Sequence, residues 1–308
     1  MAATTRDSIR RFHFPELDIR GEIARLDETW AAVNAAHDYP LPVQRLLGEL
    51  LAATALLANT IKLDATLTVQ ASGDGPLAVL MAECRNGETL RGIARLRGEV
   101  DGLLPPDEVA MGTELLGKGL VTITIRPEGG EPYQGIVPLT GATIAEAVEG
   151  YFAQSEQIPT RLWISAAGDR VAGLLVQALP PELTRKTLSD RQREEDFKRI
   201  TLLANTVGAE ELRTTEAETL LHRLFHEEQV RLQAPDGLAF RCTCSRERTR
   251  EAMRTLPRSE LQAILDEDGF VEMDCQFCHE KYRFDAIDLE LAYRAGPAAE
   301  DAGKDAPH

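Results

Sequence analysis

The sequence predicts an α+β protein in three parts: a core domain, a charged helical linker and a small cysteine-rich domain. Over roughly the first 180 residues, stretches with apolar residues at strand spacing alternate with stretches at helical spacing. A strongly charged segment follows, and four of the five cysteines lie close together near the C-terminus. With 308 residues the chain is long enough for more than one compact domain.

Residues 1–180 are predicted to form a mixed α/β core domain with a mainly antiparallel sheet. Apolar residues at helical spacing predict a helix over 42–62, and the alternation in ATLTVQ predicts a half-buried strand over 65–70. The glycines of GDGP at 73–76 indicate a turn after it. Further strands are predicted over 77–84 and 92–100, and hairpins over 119–139 and 161–179.

A second helix of this domain is predicted over 143–154. Thr143 and Glu146 have the spacing of a capping box, in which each side chain bonds the backbone amide of the other residue. Ile144, Val148 and Phe152 would form the buried stripe. No catalytic arrangement is recognisable in the core domain, and a lone Cys84 is expected to be buried and unreactive.

The composition favours an acidic protein of the cytoplasm. The net charge of −16 disfavours a nucleic-acid partner, because phosphate binding needs a positive surface. The N-terminal segment lacks the apolar run of a secretion signal. The most apolar stretch is interrupted by Arg45, Glu49 and Lys62, which disfavours a membrane span. In the cytoplasm thiols stay reduced, so clustered cysteines indicate metal or redox chemistry.

Residues 181–235 are predicted to be a charged helical linker. Between 181 and 231, 9 basic and 11 acidic side chains fall among 51 residues, a higher charged fraction than in the whole chain. Thin apolar stripes remain at helical spacing, and such helices depend on what they pack against. An ordinary connector and a metastable segment that can unfold are both compatible with this pattern. The stripes comprise Phe197, Ile200, Leu203, Leu220, Leu224 and Phe225.

Residues 236–292 are predicted to be a zinc-binding domain. A Cys-x-Cys pair is followed thirty residues later by a Cys-x-x-Cys pair, and four thiolates suit one tetrahedral Zn²⁺. Ser259 and Gln262 resemble a capping box at the start of a helix that Gly269 would end. Two short strands, 269–274 and 281–286, would flank the second pair. The predicted ligands are Cys242, Cys244, Cys275 and Cys278.

Several other interpretations of the cysteines are less favoured. CQFCH matches a haem-attachment string, but covalent haem needs export and would leave the first pair unexplained. A thioredoxin-like dithiol usually opens a helix in a βαβ unit. His279 could replace one cysteine, although four cysteines already fill the shell. The arginines at 241–258 leave open a zinc ribbon that binds nucleic acid, but they would also offset the charge of four thiolates. A disulfide oxidoreductase is a further alternative.

Loss of zinc would have a large effect on so small a domain. About 55 residues bury little core, whereas zinc contributes roughly 10–16 kcal/mol of folding free energy in small domains. The short spacings also let each cysteine pair come close enough for a local disulfide. Oxidation should therefore unfold the domain and deprive the linker of support. The exposed apolar stripes would then bind other exposed apolar segments, which suggests an oxidation-triggered binder of unfolded proteins.

The chain resembles the redox-regulated heat-shock chaperones, or holdases, of about thirty-three kilodaltons, over roughly residues 9–292. The resemblance is strongest in LLHRLFHEEQVRL, FRCTCSRER and CQFCHEKYRF, and extends to GDGPLAVLMAEC, YQGIVPL and YFAQSEQIPTRLW. It implies a bacterial cytoplasmic holdase that is not an enzyme, works without ATP and is inactive while reduced and zinc-bound.

The resemblance also implies how such a protein is switched on. Oxidants such as hypochlorite, or peroxide with heat, would release zinc and form Cys242–Cys244 and Cys275–Cys278 disulfides. The zinc domain and linker would unfold, and a homodimer would hold unfolding client proteins until an ATP-driven foldase takes them over. The four ligand positions show no departure from the family pattern. The acidic, alanine-rich tail at 293–308 carries no transferable role and is expected to be disordered.

Overall fold

The computed structural model describes residues 7–61, 64–98, 112–139, 143–180, 183–184 and 188–294. The chain forms two compact units, Met1–Arg241 and Cys242–His308. The domain boundaries expected from the sequence stay predictions. Lys62, the end of the strand predicted over 92–100, and the predicted tail from residue 295 onward lie outside the described residues.

The described strands of the first unit form two six-stranded sheets. The predicted, mainly antiparallel strand pairing is confirmed, but the strands are divided between two sheets instead of one. The first sheet has the order β10-β1-β2-β9-β8, with β11 also paired to β1, and the second has the order β12-β5-β4-β3-β6-β7. The pairing of β12 with β5 is parallel. The strands are β1 Asp7–His13, β2 Ile19–Leu26, β3 Ala65–Gly73, β4 Leu77–Arg85, β5 Thr89–Leu96, β6 Gly119–Pro127, β7 Tyr133–Pro138, β8 Thr160–Ala167, β9 Arg170–Ala178, β10 Arg231–Leu232, β11 Asp236–Gly237 and β12 Ala239–Phe240.

One long helix organises the main core of this unit. The helix predicted over 42–62 is found as α2, Leu41–Thr60, and it packs against strands of both sheets. Its length and composition would suffice to cross a membrane, but 72% of its most apolar window is buried inside the protein. Gly92 and Gly173 let the two sheets approach it, since an added Cβ would lie 3.1 Å from Leu47 and 2.7 Å from Leu56 respectively.

The described residues of the first unit form further α-helices. They are α1 Asp27–Ala35, α3 Gly112–Leu116, α4 Ile144–Tyr151, α5 Asp190–Ala204, α6 Ala209–Thr214 and α7 Ala217–Leu224. The predicted capping box of α4 is confirmed, with the Thr143 hydroxyl accepting from the Glu146 amide and the Glu146 carboxylate accepting from the Thr143 amide. Phe152 follows α4 in one π-helical turn, Phe152–Glu156, and is only partly buried.

Helices α5–α7, within the stretch predicted as a linker, cover the face of the first sheet that points away from α2. We call the resulting cluster the linker–sheet core. From the sheet side it contains Phe12, Phe14, Ile19, Ile23, Leu174 and Val176, and from α5 onward it contains Ile200, Ala204, Leu212, Leu220, Leu221, Leu224 and Phe225. Ion pairs border this core, including Arg193–Asp18 at 2.9 Å and Arg25–Glu216 at 3.4 Å. The charged helices are thus held by a mixture of apolar and ionic contacts.

The second unit has a small core of its own. Its elements are α8 Arg246–Met253, α9 Arg258–Asp268, β13 Val271–Asp274, β14 Lys281–Phe284 and α10 Ala286–Arg294. The core comprises Met253, Leu261, Leu265, Val271, Phe284, Leu289 and Ala292. The two predicted strands are confirmed as an antiparallel hairpin.

The predicted start of helix α9 is wrong, whereas its predicted end is confirmed. The helix begins at Arg258 directly after Pro257, so Ser259 already lies in the first turn and makes no capping hydrogen bond. Pro257 fixes the backbone before the helix and sets its start two residues earlier than the capping pattern indicates. Gly269 ends the helix in the left-handed conformation, with φ of 79°.

Candidate metal centre

The first cysteine pair lies in the extended segment that leads into α8. Ser245 begins this helix, and its hydroxyl accepts a hydrogen bond from the Arg248 amide. The Arg248 side chain turns back, and its Nη1 donates to the Thr243 carbonyl oxygen at 2.7 Å. The residue between Cys242 and Cys244 is therefore held by the first turn of α8.

The second cysteine pair lies in the tight loop that joins β13 to β14. The Cys275 amide donates to the Glu280 carbonyl at 2.9 Å, and the His279 amide donates to the Cys275 carbonyl at 2.8 Å. His279 has a left-handed backbone with φ of 56°, which closes the loop. Cys275 and Cys278 consequently face the same side of the hairpin end, between the two strands predicted to flank them.

The four sulfur atoms converge on one point. Cys242 Sγ lies 3.5 Å from Cys275 Sγ, Cys244 Sγ lies 3.5 Å from Cys278 Sγ, and all four lie within 4.8 Å of one another. Bonds of about 2.3 Å from Zn²⁺ in a tetrahedron require sulfur separations of roughly 3.8 Å. The cluster therefore has the size and the chemistry of a closed site for one thiophilic metal ion. Among the described residues this group of possible ligands contains the four cysteines and excludes His279.

The local environment of Cys278 disfavours a free thiolate at this residue when no cation is bound. Burial raises the pKa of Cys278, and hydrogen bonds with the surrounding cysteine sulfurs raise it further, against a lowering contribution from the Glu280 amide. A bound cation reverses this balance, because it favours the deprotonated ligand. At Cys278, a bound metal ion would therefore favour the deprotonated thiolate over the thiol.

Tyr282 is a neighbour of the cluster that sequence reasoning missed. Its hydroxyl donates to Cys244 Sγ at 3.2 Å, and this hydrogen bond, with partial desolvation, raises the pKa of the tyrosine. Tyr282 follows Cys278 by four residues in a strand, and alternation along KYRF could have placed it beside the cysteines. Its partner cysteine, however, lies 38 residues away in the chain.

Two of the arginines expected to offset the negative charge of the thiolates pair with carboxylates instead. Arg246 donates to the Asp288 carboxylate at 2.6 Å and packs over the Phe284 ring, and Arg258 pairs with Glu290. Both carboxylates lie on α10, so these arginines tie α8 and α9 to the last helix. Two of the six arginines between 241 and 258 are thus engaged with α10, and the charge-offsetting role expected of the basic run stays a prediction.

Cys84 conforms to expectation. It lies in β4 with no exposed surface, and burial raises the pKa of its thiol to about 12.

Comparison with known proteins agrees with this architecture. A family model described as Hsp33 protein matches residues 7–285. The 33 kDa chaperonin of Shewanella oneidensis is 44% identical over 295 residues, covering 96% of this chain and 98% of that protein. The 33 kDa chaperonin of Nitrosococcus oceani is 45% identical over 288 residues, covering 94% of each.

A solved structure shares the fold. The crystal structure of the 33 kDa chaperonin of Thermotoga maritima has a TM-score of 0.75 at 23% identity, with 92% of this chain and 97% of that chain covered. The family match over residues 7–285 and the two 33 kDa chaperonins place the chain among the heat-shock chaperones. The chain belongs to the Hsp33 family.

Proposed function

We propose that this protein is a redox-regulated, ATP-independent holdase of the cytoplasm. The reduced form holds one Zn²⁺ through Cys242, Cys244, Cys275 and Cys278 and is inactive; oxidation releases the ion and exposes a surface that binds unfolding proteins. The observation that carries the proposal is the convergence of four sulfur atoms in a unit whose own core is small. Such a unit depends on its metal for folding.

The oxidation step converts two thiols into one disulfide and removes two electrons and two protons. With hypochlorous acid as oxidant, a thiolate attacks chlorine and releases hydroxide; a second thiolate then displaces chloride to close the disulfide. Two such reactions consume all four ligands and leave the zinc ion without donors. We assign the bonds to Cys242–Cys244 and Cys275–Cys278.

Chain connectivity supports this pairing over the alternative. The shortest sulfur distances in the folded unit join Cys242 to Cys275 and Cys244 to Cys278. Those pairs are 33 and 34 residues apart, so their bonds depend on the unit staying folded during oxidation. The local pairs close very short loops and can form at any stage of unfolding.

Unfolding of the second unit would reach the first through the continuous chain. The two-residue strands β10, β11 and β12 are the last attachments before Cys242, and each has few backbone hydrogen bonds. Once the chain beyond Arg241 is unfolded and mobile, these short pairings become easier to lose. Helices α5–α7 would then separate from the first sheet.

The linker–sheet core supplies a client-binding surface. Separation of α5–α7 would uncover Phe12, Phe14, Ile23 and Leu174 on the sheet, and would also free the apolar stripe that ends in Phe225. Exposed apolar surfaces of this kind associate with the apolar segments of unfolding proteins. We propose that clients bind there, that the active form is a homodimer, and that clients pass to an ATP-driven foldase after reduction.

The two alternatives make different predictions. A nucleic-acid-binding zinc ribbon would give salt-dependent gel shifts, and a disulfide oxidoreductase would turn over a dithiol substrate such as insulin many times. The holdase should do neither and should protect clients only in stoichiometric amounts.

Zinc content and disulfide mapping test the switch. The reduced protein should contain one zinc per chain, and oxidation should release it while joining cysteines within each pair. Trypsin separates the pairs, since it cleaves after Arg241 and Arg246. Peptides cross-linked between the two pairs, or zinc that stays bound after oxidation, would contradict the proposal.

A further inference from the structure

We propose that Tyr282 is a positioning residue that restrains the oxidation of Cys244 and so sets the oxidant level at which the switch responds. The inference rests on the proposed function, because it treats the cysteines as thiolate ligands of a metal. Its basis is the hydrogen bond from the Tyr282 hydroxyl to Cys244 Sγ at 3.2 Å.

The hydroxyl is held in place by the core of the second unit. Tyr282 pairs with Met273 across the β13–β14 hairpin, and both side chains pack against the core around Val271 and Phe284. The phenol therefore reaches Cys244 from a strand whose backbone is already fixed. Neighbours that bond metal ligands in this way orient them and adjust their reactivity.

The hydrogen bond should slow the attack of Cys244 on an oxidant. With peroxide, a thiolate attacks one oxygen of the O–O bond and expels hydroxide, giving a sulfenic acid; a neighbouring thiol then displaces water to form the disulfide. The attack uses a sulfur lone pair, and a hydrogen bond to that sulfur stabilises the pair in the ground state. Breaking or weakening this bond is part of the barrier for Cys244.

The substitution Tyr282→Phe removes the hydroxyl and keeps the ring. Tyr293→Phe is a matched control in the same unit, because the Tyr293 hydroxyl donates to the carbonyl oxygens of Met253 and Leu256 and to no sulfur. Both variants lose a tyrosine hydrogen bond within the second unit. Only Tyr282→Phe changes a contact of the cluster.

The experiment follows thiol loss in reduced, metal-loaded full-length protein under excess hydrogen peroxide. Samples are quenched by alkylation, and the tryptic peptide that contains Cys242 and Cys244 is quantified by mass spectrometry. Tyr282→Phe should lose these thiols about threefold to tenfold faster than wild type, the range expected when part of one hydrogen bond to a charged atom is lost in the transition state. Tyr293→Phe should match wild type.

A second readout reports the bond without oxidation. In protein loaded with Co²⁺, the thiolate-to-metal charge-transfer band should move to lower energy in Tyr282→Phe and stay in place in Tyr293→Phe. If Tyr282→Phe fails to fold, 3-fluorotyrosine at position 282 supplies a stronger donor on the same ring and should slow thiol loss.

Equal thiol-loss rates in wild type and Tyr282→Phe, or equal acceleration in both variants, would overturn the inference. The proposed function is judged separately, by the zinc content of wild type and its client binding after oxidation. If wild type binds zinc but fails to bind clients after oxidation, the holdase proposal is refuted, and faster thiol loss in Tyr282→Phe still supports the restraint on Cys244. If wild type also binds no zinc, both proposals are refuted.

Discussion

Replacing Phe225 with alanine should partly activate the chaperone without any oxidant. Phe225 is 1% exposed, and its ring centroid lies 5.2 Å from that of Phe14 and 6.2 Å from that of Phe12. Truncation of a buried phenylalanine to alanine costs about 3–5 kcal/mol. A loss of about 4 kcal/mol shifts the ratio of docked to undocked linker roughly a thousandfold toward the undocked form.

The assay measures how well reduced, zinc-loaded protein suppresses light scattering from a heat-unfolding client, alongside hydrogen exchange in α5–α7. We expect Phe225→Ala to exchange faster in these helices and to protect the client while keeping its zinc. Leu202→Ala is the control, because Leu202 lies on α5 with 58% exposure and should behave as wild type. Faster exchange without client protection would refute the assignment of the linker–sheet core as the client surface. Unchanged exchange would refute the energetic argument itself.

Two further predictions concern the metal site and a buried acid. Cys242→Ser and Cys275→Ser should each lower the zinc content and raise the client-binding activity of the reduced protein. Cys84→Ala is the control and should keep its full zinc content. Retention of zinc in the serine variants would show that the ligands are wrongly assigned. Burial raises the pKa of Glu22 from its usual 4.5 to about 8, so ionisation costs folding stability and wild type should lose stability as pH rises between these values. Glu22→Gln should reduce this slope in thermal unfolding and gain most at pH 8. Glu49, whose pKa burial raises to about 7, accounts for part of the slope that remains. Glu227→Gln, at an 82% exposed side chain, should leave the slope unchanged, and equal slopes in all three proteins would contradict the burial argument.

Local features of the fold were predictable because their causes are local. The strand alternation of 65–70, the Thr143 capping box and the hairpin around the second cysteine pair each depend on a few neighbouring residues. The four-cysteine cluster was predictable for the same reason, since two short spacings and one long one define it. The false capping box at Ser259 shows the limit of such rules, because Pro257 fixes the helix start independently of side-chain pattern.

Features that depend on distant partners were not visible in the sequence. Strand β2 pairs with β9, and β1 pairs with β10 and β11, so the first sheet exists only through contacts between the two ends of the unit. The sequence therefore suggested one sheet where the structure has two. The packing of α5–α7 on the first sheet was likewise not predictable, because the thin apolar stripes of these helices do not specify which surface they bury. The contact between Tyr282 and Cys244 joins segments that share no local pattern.

The central claim is that oxidation of the cysteine cluster activates the chaperone, and one measurement tests it most directly. Light scattering from a heat-unfolded client is followed with reduced, zinc-loaded protein and with oxidised protein, while a chelating dye records zinc release. The account predicts that only the oxidised, zinc-free sample suppresses aggregation. Equal protection by both samples, or protection by protein that has kept its zinc, would contradict it and make the cluster a structural metal site alone.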